Sequence, residues 1–589
     1  MDYRKGHGIR HFPFAPRAVD VDVVNGDVIL MRSSLELDGV RRNIVDYLRE
    51  WAQRTPDQVF LAEPNARGGW DRLTYGEVWW RVRAIGTWLV ENVADADRPI
   101  AILSPPSINH ALLMFGAMAV GRAVAPISPS YSSVPAAFAR LEGIAALLNP
   151  AVVFADDPEA YVRARTVPEL AAALWIGAED GANVMSLRWL ETSPIDEAFD
   201  RAYAAVDHDV VGKILFTSGS TGAPKGVINT HGTMCSSIAA VGQFFPTDQP
   251  TVMVDWLPWH HTMGGNVNLH GTMRDGGSFY IDKGKPTAAD FSRTIKALRE
   301  ISPSWTQAVP IAVQMLVDAM DEDPILRDTY FAKMRYMVYA GSGLKPELWA
   351  RVQDHCVAAT GQNIAFFGGY GATETGPTVS SVHWFTEGVG HIGLPVPGVE
   401  LKLLPLDGER YELRVRGPNV TPGYYGRADL TAGAFDADGY YQIGDTVRFV
   451  DQADPSQGLL FAGRLAETFK LSNGAWVSPS ELRASILDEA SPWLDDLVVA
   501  GHERDDIRLL VWPSAAARKL DDAELEGHVR AAVARHNRVN SAATQKIAAF
   551  AILDEPPSVG AGELTDKGSI NQRAALEYRA EAVRSLYDA

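Results

Sequence analysis

The chain has 589 residues, of which 46% are apolar and 22% are charged, as is usual for globular proteins. It carries 54 Lys and Arg against 73 Asp and Glu, a formal net charge of −19, which argues against a broad surface for nucleic acid or anionic membrane. This length predicts roughly two to four domains or subdomains.

The cysteines and the apolar segments of the sequence indicate the cellular compartment in which the protein works. Cys235 and Cys356 form no CxxC or zinc pattern, which indicates a reducing environment. The first residues, MDYRKGHGIRHFPFAPRAVDVDVV, lack the uninterrupted apolar run of a signal peptide. Residues 111–127 are the most apolar long window, but Arg122, glycines and a proline interrupt it, so it predicts a buried helix running into a strand. The sequence therefore predicts a soluble, cytoplasmic protein with no membrane partner.

Strand-like and helix-like segments alternate through the first part of the chain. Apolar spacing of three and four over residues 41–56 predicts an amphipathic helix. Short strands and further helices follow by turns, which is typical of parallel α/β layers. The predicted strands are 59–64, 100–104, 123–127 and 152–156, and the predicted helices are 73–93, 108–122 and 135–147.

The pattern changes after residue 395. Between 395 and 463, short strand-like runs divided by Gly, Pro and Asp turns predict a small antiparallel sheet or barrel element. After Arg464 helices and strands mix again, as in a second α/β unit of ordinary domain size. Helices are predicted there at 479–489 and 521–536, and strands at 497–501 and 508–512.

Residues 217–226 read TSGSTGAPKG and follow a strand predicted at 211–216. The end of a strand is where α/β proteins place ligands, and loop glycines let the backbone approach an anion closely. Hydroxyl groups and free N–H groups can form an anion nest, and Lys225 adds a positive charge. Pro224 stands where a Walker A loop needs its second glycine, and residue 218 is not the glycine that G-x-S-x-G requires. The candidate residues of the loop are Thr217, Ser218, Gly219, Ser220, Thr221, Gly222 and Lys225.

TSGSTGAPKG resembles the phosphate loop of the adenylate-forming superfamily, which contains acyl-CoA synthetases, nonribosomal adenylation domains and luciferases. Further motifs of that superfamily follow in order. Residues 370–374, YGATE, resemble its Y-G-x-T-E motif. The resemblance implies that Tyr370 and Gly371 bind the adenine part of the nucleotide, that Thr373 donates to the α-phosphate, and that Glu374 holds Mg²⁺ through a carboxylate oxygen.

Two motifs near the predicted domain junction extend the resemblance. Residues 439–445, GYYQIGD, resemble the motif that ends in G-D, which implies that Asp445 accepts hydrogen bonds from both ribose hydroxyls. Residues 463–470, GRLAETFK, resemble G-R-x-x-[DE]-x-x-K, which implies that Arg464 also binds the ribose and that Lys470 belongs to the nucleotide site. Many members carry Asp or Lys where this chain has Ala466, so a polar contact of the hinge is missing here, although small residues can hinge.

Residues 562–571, GELTDKGSIN, stand where the superfamily usually shows T-x-x-G-K. Ser569 occupies the place of the usual lysine, and Lys567 lies before the glycine. Lys567 is the one lysine of this segment, so we predict that it neutralises charge between the carboxylate and the α-phosphate as the bond forms. A solvated surface lysine is the alternative.

Residues 255–266, DWLPWHHTMGGN, follow a predicted strand. His261 matches the superfamily's histidine, which implies that it faces the substrate carboxylate. The adjacent His260 has no zinc-site spacing and is predicted to be buried and hydrogen-bonded. Together with VINTHGTM and AWVSPSEL, the sequence of this segment most resembles feruloyl-CoA synthases, and the resemblance covers roughly residues 210–575. The implied pocket for an aromatic acid comprises Trp259, His261, Trp305, 340–343 with Gly341 and Gly343, and 367–369 with Phe367 and Gly369.

The resemblance implies an α/β fold in two parts. A large N-terminal domain, residues 1–463, would contain layered α/β subdomains plus a small β-barrel-like element and bind ATP and the acid. A small mobile C-terminal α/β domain, residues 464–589, would rotate about a hinge at 464–467.

The expected function is an AMP-forming carboxylate–CoA ligase that activates a ferulate-like aromatic acid with ATP, Mg²⁺ and coenzyme A. A small-molecule acid is the expected partner, nucleic acid is not, and a homo-oligomer is compatible with the sequence. Three alternatives stay open: a fatty-acyl or other aryl-acid CoA ligase, an adenylation enzyme that loads a carrier protein, and a non-catalytic nucleotide-binding relative.

Overall fold

The computed structural model describes residues 6–218, 224–406, 409–558, 561–564 and 570–588, without the side chains of Ala136 and Ser218. Its strands are β1 (Val19–Val24), β2 (Val28–Ser33), β3 (Val59–Pro64), β4 (Trp70–Thr74), β5 (Ile100–Ile102), β6 (Val124–Pro126), β7 (Val152–Phe154), β8 (Leu174–Gly177), β9 (Met185–Ser186), β10 (Val211–Ser218), β11 (Pro224–Thr230), β12 (Val252–Asp255), β13 (Ser278–Ile281), β14 (Trp305–Ala308), β15 (Tyr336–Tyr339), β16 (Ala365–Tyr370), β17 (Ser380–Ser381), β18 (His391–Pro395), β19 (Glu400–Pro405), β20 (Tyr411–Arg416), β21 (Tyr441–Phe449), β22 (Leu459–Arg464), β23 (Phe469–Lys470), β24 (Trp476–Val477), β25 (Leu494–Ala500), β26 (Ile507–Pro513) and β27 (Ile547–Ile552).

The α-helices lie between these strands, and a π-helical turn spans Met263–Asn268. The helices are α1 (Val45–Arg54), α2 (Tyr75–Asn92), α3 (Ile108–Ala119), α4 (Ser130–Ser133), α5 (Phe138–Leu148), α6 (Pro168–Ala171), α7 (Leu187–Glu191), α8 (Glu197–Ala205), α9 (His231–Phe244), α10 (Leu269–Arg274), α11 (Phe291–Glu300), α12 (Pro310–Glu322), α13 (Pro324–Ala332), α14 (Pro346–Thr360), α15 (Ala428–Ala434), α16 (Pro479–Glu489), α17 (Asp522–Val539), α18 (Gln572–Tyr578) and α19 (Ala580–Asp588). Among the described residues, none of these helices is both long and apolar enough to cross a membrane.

The chain divides into two compact units, and the predicted mixed α/β class is confirmed, with a large first unit and a smaller second one. The predicted domain boundary at 463/464 and the predicted hinge stay predictions. The first unit comprises Met1–Asp22, Leu30–Lys402 and Val415–Gln442, and the second comprises Val23–Ile29, Leu403–Arg414 and Ile443–Ala589.

A sheet in the first unit runs in the order β11-β10-β6-β5-β7-β8-β9 within the described residues. All neighbouring strands from β10 to β9 pair in parallel, and β11 is antiparallel to β10. The three residues of β5 and of β7 are fully buried, as expected for parallel strands that are covered on both faces. Leu141 and Ile144 of α5 pack over Ala125 and Val153 of this sheet.

Two further groups of strands lie in the first unit. One has the order β12-β13-β3-β4, and in the other β14, β15 and β16 pair in parallel before β17 and β18 continue antiparallel. A buried cluster that includes Met337, Tyr339, Trp349 and Phe366 joins the second group to helices α11–α14.

Local sequence explains several helix ends. Helix α2 begins at a capping box, in which Thr74 Oγ1 accepts from the Glu77 N–H at 3.2 Å and Glu77 Oε2 accepts from the Thr74 N–H at 2.8 Å. Helix α3 begins at Ser107, whose hydroxyl oxygen accepts from the His110 N–H. Helix α14 ends at Gly361, which has a left-handed φ of 75°.

The second unit contains most of strands β19–β22, and β21 pairs antiparallel with β22, as the turn-rich section 395–463 predicts. A separate sheet has the order β25-β26-β27. Helices α16 and α17 cover it, with Leu482, Ile486, Val529 and Val533 in the shared core.

Candidate functional site

The Ser/Gly loop connects the two strands of an antiparallel hairpin. Strands β10 and β11 pair Phe216 with Gly226, Thr217 with Lys225, and Ser218 with Pro224. Directly opposed residues share a face of the sheet, so Thr217 and Lys225 project together at the end of the hairpin. The predicted phosphate-binding residues Gly219, Ser220, Thr221 and Gly222, and the Ser218 side chain, lie outside the described residues.

Glu374 accepts a hydrogen bond from a tyrosine hydroxyl. The Tyr424 hydroxyl donates to Glu374 Oε1 at 3.1 Å and lies 3.3 Å from the Tyr441 hydroxyl, while Lys225 Nζ lies 5.5 Å from the centre of the Tyr424 ring. Burial and then the charge of Glu374 raise the pKa of Tyr424 to about 12, so its hydroxyl keeps its proton at neutral pH. The same two causes raise the pKa of Tyr441. The predicted metal ligand and a cation of the hairpin therefore both contact Tyr424.

The YGATE motif turns sharply at Gly371. A Cβ atom at Gly371 would lie 1.6 Å from the Pro377 carbonyl oxygen, so no other residue fits this turn. Tyr370 closes strand β16, and Thr373 and Glu374 follow in a single 3₁₀ turn, all three half-buried. The motif therefore presents its polar side chains at the end of a strand, where the sequence predicts a ligand.

Asp445 and Arg464 form an ion pair in the second unit. They oppose each other in the register of β21 and β22, and Arg464 Nε lies 3.1 Å from Asp445 Oδ1. The Asp445 side chain is 5% exposed, whereas that of Arg464 is 60% exposed. The two residues that the sequence assigns to the ribose are therefore adjacent.

The predicted hinge motif lies in the same unit. Ala466 occupies a 3₁₀ turn, Leu465–Glu467, in which Glu467 accepts from the Ser480 hydroxyl at 3.1 Å. Burial raises the pKa of Glu467. Lys470 lies over the Trp476 ring at 4.8 Å, a cation–π contact, so its ammonium has a partner within its own short hairpin.

The predicted catalytic Lys567 lies outside the described residues, but the chain on both sides of it is firmly held. The Asn571 N–H donates to the Glu563 carbonyl oxygen at 2.8 Å. The Glu563 side chain is fully buried and meets the Arg579 guanidinium through Nε at 2.9 Å and Nη2 at 3.0 Å. Such a two-point contact fixes the geometry of both side chains.

The segment after β12 folds back on itself before the π-helical turn. The His261 N–H donates to the Pro258 carbonyl oxygen, and the His261 carbonyl oxygen accepts from the Gly265 N–H at 3.0 Å. Trp259 is buried with its ring edge-on to His110, with ring centroids 4.9 Å apart. Burial, followed by the neighbouring His261, lowers the pKa of His260.

Asp255 ends strand β12 and anchors the start of the turn. Its Oδ1 accepts from the Leu257 N–H at 3.0 Å, and its Oδ2 accepts from Asn268 Nδ2 at 2.9 Å. Burial raises the pKa of Asp255 to about 7 despite these bonds.

The remaining predicted pocket residues fall into two groups. Trp305 and Phe367 are buried and both stack on Tyr336, with centroid distances of 6.1 Å. Gly341 and Gly343 lie in the exposed loop after β15, and Gly369 lies near the end of β16. Contact of these residues with an acid stays a prediction.

The side chains available as metal ligands suit a magnesium ion better than a metal that is held by protein ligands alone. Among the described residues, no group of three or more His, Cys, Asp or Glu side chains is placed to hold a metal ion. Magnesium commonly takes one or two carboxylates and completes its shell with phosphate and water, so the single oriented carboxylate of Glu374 fits such an ion. Sequence reasoning missed Tyr424, Tyr441 and the buried Lys213, since each acts through a contact that is distant in sequence.

Known proteins match both parts of the chain. The family described as AMP-binding enzyme matches residues 48–425, and the AMP-binding enzyme C-terminal domain matches residues 467–589. The adenylation domain of a carboxylate reductase from Mycobacterium chelonae superposes with a TM-score of 0.69 at 21% identity, covering 94% of this chain and 92% of that one, which shows the fold.

Three curated relatives are 24% to 25% identical to this chain, and their names give different activities. A carboxylic acid reductase of Mycobacterium marinum is 25% identical over 73% of this chain, which spans only 39% of that protein. The long-chain-fatty-acid–CoA ligase FadD15 of Mycobacterium bovis is 25% identical, covering 93% of this chain and 98% of its own. The 4-coumarate–CoA ligase-like 2 of Arabidopsis thaliana is 24% identical, covering 83% and 84%. These matches support activation of an acid through an adenylate, and the chain belongs to the AMP-binding enzyme family of the adenylate-forming superfamily.

Proposed function

We propose that the protein is an AMP-forming carboxylate–CoA ligase that acts on an aromatic, hydroxycinnamate-type acid. The observation that carries the proposal is the contact of two motifs: Glu374 of YGATE accepts from Tyr424, and the Lys225 ammonium of the phosphate hairpin lies over the same Tyr424 ring. An oriented carboxylate and a cation that contact the same tyrosine suit a triphosphate and its magnesium ion.

The first half-reaction activates the acid. A carboxylate is a poor electrophile, because its negative charge repels nucleophiles and oxide is a poor leaving group. A carboxylate oxygen attacks the α-phosphorus of ATP, the bond to the β-phosphate bridging oxygen breaks, and pyrophosphate leaves with that electron pair. Thr217 and Lys225 would bind phosphate oxygens, Thr373 would donate to the α-phosphate, and Lys567 would neutralise charge at the forming bond.

Magnesium, when bound at Glu374, would neutralise charge on the phosphate oxygens. The protein's part is to orient that carboxylate, which Tyr424 does. Asp445 and Arg464 would bind the ribose, with the buried carboxylate as the acceptor for a vicinal diol. His261 would face the carboxylate of the acid.

The second half-reaction transfers the acyl group. The coenzyme A sulfur attacks the carbonyl carbon of the acyl-adenylate, the carbon–oxygen bond to AMP breaks, and the thiol proton passes to solvent. We expect the second unit to turn about residues 464–467 between the two steps, which would remove Lys567 and admit the thiol. Ala466 offers no polar side chain to gate that turn.

Aromatic side chains and one relative support the proposed class of acid. Trp259, Trp305 and Phe367 are the rings that we assign to the pocket, and rings favour a flat aromatic substrate. The similarity to the Arabidopsis 4-coumarate–CoA ligase-like 2 over most of both chains is consistent with this choice.

Two specific observations favour a different acceptor for the acyl group or a different class of acid. The similarity to carboxylic acid reductases, of which this chain spans a minor part, favours an adenylation enzyme that loads a carrier protein. The similarity to FadD15 along nearly its whole length favours a fatty-acyl–CoA ligase. A non-catalytic nucleotide-binding relative would bind ATP and release no pyrophosphate.

One assay separates these functions. The protein is incubated with ATP, Mg²⁺, coenzyme A and a mixed panel of ferulate, coumarate, benzoates, and medium- and long-chain fatty acids, and products are identified by mass. We expect a phenylpropenoyl-CoA. A fatty-acyl-CoA would overturn the acid class, an adenylate without thioester would indicate a carrier protein, and the absence of any adenylate would overturn the enzymatic proposal.

A further inference from the structure

A lysine without exposed surface lies on β10, four residues before Thr217. Lys213 Nζ lies 3.1 Å from the Gly265 carbonyl oxygen, 3.2 Å from Asn266 Oδ1 and 3.1 Å from His270 Nε2. The oxygens of Gly265 and Asn266 accept from Nζ, and His270 Nε2 is its third partner, so all three partners lie within residues 265–270. Burying an amine removes its hydration, and an apolar side chain would fill the same space without that cost. What Lys213 adds beyond packing is therefore its set of hydrogen bonds, which have fixed directions.

The stretch that Lys213 contacts is unusual backbone. Residues 263–268 form the π-helical turn that follows His261, and such turns are rare and common at functional sites. The turn packs tightly, since a Cβ atom on Gly264 would lie 2.7 Å from the Leu257 carbonyl oxygen, and one on Gly265 would lie 2.7 Å from that of Trp259. Polar contacts that hold the turn therefore also set the path of residues 257–261.

The other strand of the phosphate hairpin contacts the same point. Asn229 opposes Lys213 in the register of β10 and β11, and its Oδ1 accepts from Asn266 Nδ2 at 3.0 Å. Asn266 Nδ2 also donates to the Thr262 hydroxyl at 3.2 Å. Both strands that lead to the phosphate loop are thus bonded to one residue of the turn after His261.

We infer that Lys213 is a positioning residue for the acid substrate. It fixes the turn 265–270 against β10 and so sets the distance from His261 to the phosphate hairpin. The inference rests on the proposed function in one respect, namely that His261 faces the carboxylate of the acid. It adds to that function a residue that acts through the turn and touches neither acid nor nucleotide.

The test replaces Lys213 with methionine, which is unbranched, one atom shorter, and lacks the amine. We expect the KM for the acid to rise about tenfold, as loss of a donor to buried acceptors predicts, while the KM for ATP changes less than about twofold. A second variant, Asn266→Ala, removes one acceptor and should raise the acid KM in the same direction by a smaller factor.

The matched control lies one residue along the same strand. Ile214 is also fully buried, but its side chain points to the opposite face of the sheet and packs in the core with Ala125 and Val153. Ile214→Ala should lower the melting temperature through a cavity and leave the acid KM unchanged. An acid KM that is unchanged in Lys213→Met, or that rises equally in Ile214→Ala, overturns the inference.

A readout without substrate separates this inference from the proposed function. Hydrogen exchange followed by mass spectrometry should show faster exchange of amides 263–270 in Lys213→Met, with helix α14 unchanged. Equal exchange in the variant and the unmodified protein overturns the role of Lys213 even where the acid assay succeeds. Faster exchange at 263–270 in a protein that activates no acid would leave the contact standing and overturn the proposed function alone.

Discussion

Tyr424 donates its phenolic hydrogen to Glu374 at 3.1 Å across 50 positions of sequence. The Tyr424 pKa of about 12 keeps that donor protonated through the neutral range. A carboxylate that accepts a fixed hydrogen bond cannot rotate freely, so Glu374 has a defined oxygen to offer a metal ion before any nucleotide binds. The structural relationship therefore links the predicted metal ligand to a residue outside every motif.

Tyr424→Phe should weaken the magnesium dependence of catalysis. The ring and its contact with Lys225 remain, and the contacts of the hydroxyl with Glu374 and Tyr441 are lost. We expect the magnesium concentration for half-maximal pyrophosphate release to rise about tenfold, as loss of a hydrogen bond to a charged group predicts. The measurement is pyrophosphate release against magnesium concentration at saturating ATP and acid.

The neighbouring tyrosine supplies the control. Tyr425 is half-buried, and its N–H donates to the Gly226 carbonyl oxygen at 2.8 Å through the backbone, which Tyr425→Phe leaves intact. That variant should keep the unmodified magnesium dependence. Equal curves for the two variants would show that the Tyr424 hydroxyl does not orient the metal ligand.

Asp445→Asn should impair binding of the ribose. A carboxylate accepts from both hydroxyls of a vicinal diol, whereas an amide offers one acceptor and loses the ion pair with Arg464. We expect the KM for ATP to rise about tenfold and the preference for ATP over 2′-deoxy-ATP to shrink. Asp451→Asn, at an exposed position beyond β21, is the matched control. An unchanged preference for ATP in Asp445→Asn would remove this residue from the ribose site.

Stability should depend on pH through Lys213. Burial lowers its pKa from the ordinary value near 10.4 to about 7. Between these values the unfolded chain binds a proton that the folded chain does not, so folding gains stability as the pH rises. Burial also holds the pKa values of His110 and His231 at about 3 and lowers that of His270, so these neighbours stay neutral in the window.

The measurement compares denaturation of the unmodified protein and Lys213→Met from pH 5 to 9. The equilibrium constant for folding is measured for both proteins. The ratio of the constant for the unmodified protein to that for the variant should rise by up to about tenfold per pH unit above pH 7. Below about pH 6 the difference should be flat. Asp255 titrates near the same pH, but it is present in both proteins. A difference that does not vary with pH would contradict a neutral buried amine.

Lys567→Ala should separate the two half-reactions. Loss of a group that neutralises developing charge should slow acyl-adenylate formation about 100-fold or more. Thioester formation from a supplied acyl-adenylate should persist, because the lysine takes no part in that step. Lys519→Ala, at an exposed position of the second unit, is the control. Retention of both half-reactions in Lys567→Ala would assign the lysine to the surface.

Most of the fold was predictable because the signals are local. Helix α16 spans the predicted residues, and the strands at 59–64 and 211–216 stand where runs of apolar residues predict them. The pairing of β10 with β11 was harder to predict, since PKGVINT contains Pro and Gly and is flanked by a turn-like segment. Pairing of strands is a long-range property that short patterns do not encode.

The site was predictable where one motif supplies one role. Asp445 and Arg464 were assigned to the same sugar, and the structure places them side by side. Tyr424 could not be found, since nothing near it in sequence distinguishes it from a core tyrosine. Lys213 stands between Gly212 and Ile214 in a strand, where alternation suggests a solvated lysine, but the π-helical turn covers that face.

The central claim is that a carboxylate oxygen of the acid attacks the α-phosphorus of ATP. Acid labelled with ¹⁸O in both carboxylate oxygens, incubated with ATP, Mg²⁺ and coenzyme A, tests it directly when AMP and pyrophosphate are analysed by mass. We expect one ¹⁸O atom in each AMP and none in pyrophosphate. Unlabelled AMP, or label in pyrophosphate or inorganic phosphate, would contradict it.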